Sequence, residues 1–100
     1  MLESLEYKEV DGPVKTRDLK VYALSTCGFC ARTIAFLRKK EICFKYVYYD
    51  LLDDETKPKV KAALKELYSG RLGFPILVFD GKIVLLGLEK KEIIKLMDIQ

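Results

Sequence analysis

The chain has 100 residues, 50% of them hydrophobic and 33% charged, which is enough for one packed core and too apolar for a disordered tail. Its 18 basic and 15 acidic residues leave a formal charge of +3, spread along the chain, and no basic stretch interleaves with aromatics as a nucleic-acid groove requires. No apolar run nears the roughly 18–20 residues that span a bilayer, and "MLESLEYKEV" lacks the apolar centre of a secretion signal, so a cytoplasmic protein that engages neither nucleic acid nor membrane is expected.

Residues 1–18 read as an extension in which "LEYKEV" forms a short strand, hairpinned through the "DGP" turn at Asp11–Pro13. "LKVYALS", ending at Ser25, is a nearly continuous apolar run of the kind buried on both faces of a parallel sheet. From Cys27 the period changes to a helical one, with Ala31, Ile34, Ala35 and Leu37 inward and Arg32, Arg38 and Lys39 toward water. "CFKYVYY" (Cys43–Tyr49) is aromatic and β-branched, a second core strand. "DLLDDETKP" supplies turn and cap residues. Val60, Ala63, Leu64, Leu67 and Tyr68 then mark a second helix that Gly70 ends. "ILVF" (Ile76–Phe79) and "IVLL" (Ile83–Leu86), joined through Asp80-Gly81, form a hairpin. "EKKEIIKLM" closes the chain as a helix burying Ile93, Ile94 and Met97. The order β-α-β-α-β-β-α makes an α/β fold: one four-stranded mixed sheet flanked by helices, its first two strands parallel through a right-handed crossover. A single domain over residues 1–100 is expected, with the N-terminal strand or hairpin as an addition.

Cys27 and Cys30 sit where a buried strand gives way to a helix. At a helix start the first N–H groups lack partners and the macrodipole is positive, so a thiolate at Cys27 is stabilised and its pKa falls below the free value of about 8.5. Cys30, three residues on, returns to the same face and can attack a mixed disulfide formed at Cys27. The spacing thus assigns Cys27 as nucleophile and Cys30 as resolving thiol. Gly28 keeps bulk away from an approaching substrate, and Phe29 offers it an apolar contact. Histidine is absent, and the third sulfur, Cys43, reads as a buried small hydrophobe. A zinc site within one chain therefore fails on ligand count, whereas a cluster shared between two chains stays open.

"VYALSTCGFC" before a helix, then "GFPILVF", a turn and "LLGLEKKEI", resembles the glutaredoxin branch of the thioredoxin fold. The resemblance spans residues 19–98 and is strongest to the glutaredoxin-like or NrdH-type redoxins of archaea and anaerobic bacteria. It implies a cis bond at Phe74–Pro75, with the backbone before Pro75 pairing to whatever docks on Cys27, and Gly87 bordering the ligand groove. Thr26, Gly28, Phe29, Phe74, Pro75 and Gly87 are on that basis the candidate substrate contacts. The implied activity is reduction of disulfides in client proteins, ribonucleotide reductase being one by analogy, with electrons from a thioredoxin-, glutathione- or ferredoxin-linked reductase. No cofactor beyond the dithiol is required, the protein is expected as a monomer, and no metal ligands are assigned. Leu24 stands where glutathione-using members carry Lys or Arg, Gly73-Phe74 where they carry Thr-Val, and Gly28 where Pro is usual. Only Arg71 offers a substitute carboxylate-binding group, so the departures favour a redoxin that acts on proteins. A bound glutathione, or an iron–sulfur cluster bridged between chains, is the alternative.

Overall fold

The computed structural model describes residues 1–99. Its elements run β1 (Lys8–Val10), β2 (Leu19–Ala23), α1 (Gly28–Lys39), β3 (Phe44–Tyr48), α2 (Thr56–Leu67), β4 (Ile76–Phe79), β5 (Ile83–Leu86) and α3 (Lys90–Met97). β2 is central, parallel to β3 with Val21 opposite Tyr46, and antiparallel to β4 with Val21 opposite Leu77. Strand alternation sends neighbouring side chains to opposite faces, so both faces of β2 need a cover. Val21 and Ala23 pack with Cys30, Ile34 and Leu37 of α1 and Ile93 and Met97 of α3. On the other face, Tyr22 packs with Val60 and Leu64 of α2.

The sheet has five strands, in the order β1-β3-β2-β4-β5, where four had been expected with an optional addition. β1 does not hairpin onto the next strand through Asp11–Pro13. It pairs antiparallel with β3, Lys8 opposite Tyr46 and Val10 opposite Phe44. Both edges of β2 are already taken by β3 and β4, which leaves the outer edge of β3 as the free template. The segment between β1 and β2 is stitched over the α1–β3 junction. Val14 N–H donates to Glu41 O at 3.1 Å, and Cys43 N–H donates to Val14 O at 2.9 Å.

Three helix details differ from the sequence reading. The buried face of α1 is Cys30, Thr33, Ile34 and Leu37, while Ala31 and Ala35 face solvent. The face is turned because Thr33 can be buried at little cost, its hydroxyl donating to Phe29 O at 2.9 Å. α2 ends at Leu67, before Gly70, because Tyr68 already leaves the helix at φ −139° and ψ 112°. Ile94 is half-buried rather than enclosed, and Cys43 is likewise half-buried. The hairpin matches its expected bounds; its three-residue connection, Asp80 to Lys82, takes positive φ at Asp80 and Gly81 (55° and 70°), and Lys82 N–H donates to Phe79 O at 3.1 Å. Among the described residues no helix is long and apolar enough to cross a membrane.

Candidate active site

β2 ends at Ala23, and the chain turns through Ser25 and Thr26, closed by Cys27 N–H on Leu24 O at 3.3 Å. Cys27 is then the N-cap of α1. Its extended backbone (φ −98°, ψ 113°) precedes the helix, its carbonyl accepts Ala31 N–H at 3.0 Å, and its Sγ accepts Cys30 N–H at 3.1 Å. The sulfur occupies the place where a Ser or Asp oxygen usually caps the third amide of a helix. This is the physical content of the two-residue spacing: the orphan amide satisfied by Cys27 belongs to Cys30.

The two thiols differ in surroundings. Cys27 is half-buried, and Cys30 is fully buried against the larger core cluster. The Cys30 thiol donates toward Cys27, joined by the Cys30 and Phe29 amides and the Arg32 charge, and together these hold the Cys27 pKa below its ordinary value. Burial acts the opposite way on Cys30 and, with its role as donor to Cys27, pushes it up to about 11. All three cysteines are free thiols. Because β2 and β3 are parallel, Cys43 at the start of β3 lies at the opposite end of the sheet from Cys27. It cannot complete a three-sulfur set with the pair, and among the described residues no three metal-binding side chains converge.

Of the sequence-assigned contacts, Pro75 precedes β4, the antiparallel neighbour of β2, and Gly87 follows β5. The Phe74–Pro75 bond is cis and Pro75 is buried. Gly87 N–H donates to Pro75 O at 2.8 Å, and a Cβ on Gly87, at φ 82°, would lie 3.4 Å from Phe29 Cε2. Phe29, 43% exposed, stands against that glycine with the Arg32 guanidinium 5.5 Å from its ring centre. Gly28 and Thr26 are exposed, and a Cβ on Gly28 would meet only the tip of Arg32 at 3.9 Å. The fold therefore does not need glycine there. Leu24 packs into the core cluster, and Arg71 is exposed in the loop before Gly73.

Two features escaped the sequence. The Phe74 ring stacks, tilted by 34°, on Tyr49 at 5.3 Å, beside a cavity of about 140 Å³ that Lys61, Leu64 and Leu72 complete. Asp50 reaches from the turn after β3 to Ser25. The second depends on the parallel register of β2 and β3, and the first on the registers of both β3 and β4 with β2.

Residues 19–84 match the family model described as glutaredoxin. The chain is 34% identical over 80 residues to a glutaredoxin-like 8.6 kDa protein of the rubredoxin operon of Clostridium pasteurianum, covering 80% of this chain and 97% of that one. It superposes on the glutaredoxin of Methanosarcina mazei with a TM-score of 0.80 at 25% identity, over 93% of this chain and 88% of the other. The fold is also that of Methanosarcina acetivorans methanoredoxin, with a TM-score of 0.77 at 23% identity over 93% and 95% of the two chains. A dithiol at the start of the helix that follows the central strand, a cis-proline directly before the strand paired with that central strand and a family match over the segments that carry both lead to one assignment: the chain belongs to the glutaredoxin family of thiol–disulfide oxidoreductases.

Proposed function

We propose that this glutaredoxin reduces disulfides of client proteins in the cytoplasm, with Cys27 as nucleophile and Cys30 as resolving thiol. The observation that carries the reading is the asymmetry of the pair: a half-exposed sulfur that accepts the Cys30 amide at 3.1 Å, over a thiol that is fully buried. The Cys27 thiolate attacks one sulfur of a client disulfide, forming a mixed disulfide and expelling the other client sulfur as a thiolate. Cys30 then gives up its proton and attacks Cys27 Sγ. The Cys27–Cys30 disulfide forms, the second client thiolate leaves, and the client has gained two electrons. Thr26, Gly28, Phe29, Phe74, Pro75 and Gly87 bound the surface on which the client strand lies. Leu24 supports a protein client over glutathione, because the cation that would meet a glutathione carboxylate is replaced by a side chain turned into the core. A donor linked to thioredoxin reductase, glutathione reductase or a ferredoxin-dependent reductase restores the dithiol.

The test is insulin reduction with each of the three donor systems in turn. Cys27→Ser is expected to lower the rate by about two orders of magnitude or more, since the nucleophile itself is removed. Cys30→Ser is expected to accumulate a mixed disulfide with the client, seen as an added mass. Full activity of Cys27→Ser with every donor sinks the reading.

A further inference from the structure

The turn that presents Cys27 is closed from within by one long hydrogen bond, Cys27 N–H to Leu24 O at 3.3 Å. From outside it is gripped more firmly. One carboxylate oxygen of Asp50 accepts Ser25 N–H at 2.8 Å, and the other accepts the Ser25 hydroxyl at 2.5 Å. Hydrogen bonds to an ionised acceptor are shorter and roughly twice as strong as neutral ones. Asp50 belongs to the short 3₁₀ turn at Tyr49–Leu51 that follows β3, and the parallel pairing of Ala23 with Tyr48 delivers it to the end of β2.

We propose that Asp50 is a positioning residue of the redox centre: its carboxylate clamps Ser25 so that the following turn holds Cys27 Sγ over the Cys30 amide. The inference rests on the dithiol reading of the proposed function. The Sγ–amide contact at 3.1 Å exists only while residues 25–27 keep their path, and small displacements of a reacting atom are costly to rate. The two bonds to Ser25 hold the Asp50 carboxyl below its ordinary pKa, so the clamp stays ionised throughout the range in which thiols react. The charged groups that bear on this assembly are Lys57 from α2 facing Asp50, Arg32 from α1 facing Cys27, and Asp50 itself facing Cys30.

The experiment compares Asp50→Ala, Asp50→Asn and Ser25→Ala, each made in a Cys43→Ser background. The rate of Cys27 alkylation by iodoacetamide is followed against pH by peptide-resolved mass spectrometry, together with insulin reduction and thermal melting. Asparagine can keep both contacts, its carbonyl accepting the Ser25 amide and its NH₂ donating to the hydroxyl. Asp50→Ala is expected to raise the pH midpoint of Cys27 alkylation by about half a unit and to slow insulin reduction about three- to tenfold per folded molecule. Asp50→Asn is expected to restore both, and Ser25→Ala, which removes the hydroxyl contact alone, to shift the midpoint in the same direction by less. An Asp50→Ala protein with the parent's midpoint and rate overturns the proposal, and so does an Asp50→Asn protein as impaired as the alanine variant. If Asp50→Ala does not fold, Ser25→Ala decides: an unshifted midpoint overturns the clamp. A parent protein that reduces no insulin would count against the proposed function alone, because the alkylation comparison needs no client.

Discussion

Cys27 and Cys30 are three positions apart, yet one sulfur sits at an open helix end and the other in a core that excludes water. The thiol and amide of Cys30 favour charge on Cys27, while burial opposes charge on Cys30. Between the lowered Cys27 value and the Cys30 value of about 11 lies a range of pH in which Cys27 alone of the pair ionises. A Cys43→Ser protein should therefore take up one equivalent of iodoacetamide at about pH 7, on Cys27, and alkylation should weaken as acid drives the pH through the Cys27 pKa. Equal labelling of both cysteines in the mass spectrum would contradict this. The two cysteines could be singled out from the change of period between strand and helix around them, whereas Pro75 and Gly87 came from the family resemblance alone. Asp50 could not. "DLLDDETKP" holds several acids suited to turns and caps, and Asp53 does serve that purpose, accepting Thr56 N–H at 2.7 Å. Which acid crosses to Ser25 is decided by the β2–β3 register, a property of two segments twenty residues apart.

At the scale of elements, the β4–β5 hairpin was fully legible because its signal is local: two apolar runs and an Asp-Gly turn between them. The amphipathic face of α1 was less so, since alanines fit either side of a helix and Thr33 hides its polarity in a bond to the preceding turn. The partner of β1 was not legible at all. "LEYKEV" reads as a strand, but nothing nearby says which edge it will find. Gly12 is where that long-range packing leaves its mark on one residue: a Cβ there would lie 2.5 Å from Glu41 O and 2.9 Å from its carbonyl carbon. Those are backbone atoms at the end of α1, and they cannot swing away as a side-chain tip could. Gly12→Ala is expected to cost about 1–3 kcal/mol, the range for overpacking, read as a lower urea midpoint with an unchanged slope. A variant as stable as the parent would mean that the α1–β3 junction yields more easily than its hydrogen bonds suggest.

For the molecule as a whole, the N-terminal residues complete the sheet rather than decorate it. β1 covers the outer edge of β3, and Leu2, Leu5 and Tyr7 pack on the face that α2 also covers. Tyr7 donates its hydroxyl proton to Leu2 O at 2.7 Å, so the buried Tyr22 hydroxyl, also 2.7 Å from it, donates to Tyr7. Removing residues 1–10 uncovers that edge and that hydroxyl together. A loss on the order of 3 kcal/mol is expected from the half-buried side chains alone, with a tendency to associate through the freed edge. Denaturation and light scattering check these two effects. The sulfur that caps α1 has one more consequence. In the dithiol state it closes the helix's first turn through an amide, and in the disulfide state it would close the same turn through a covalent bond to the residue that owns that amide. The backbone thus has little reason to move as electrons pass through. Under the proposed function, a donor and a client would meet nearly the same contour, and the direction of traffic between them would be left to the potentials of the two partners rather than to a change of shape in the carrier.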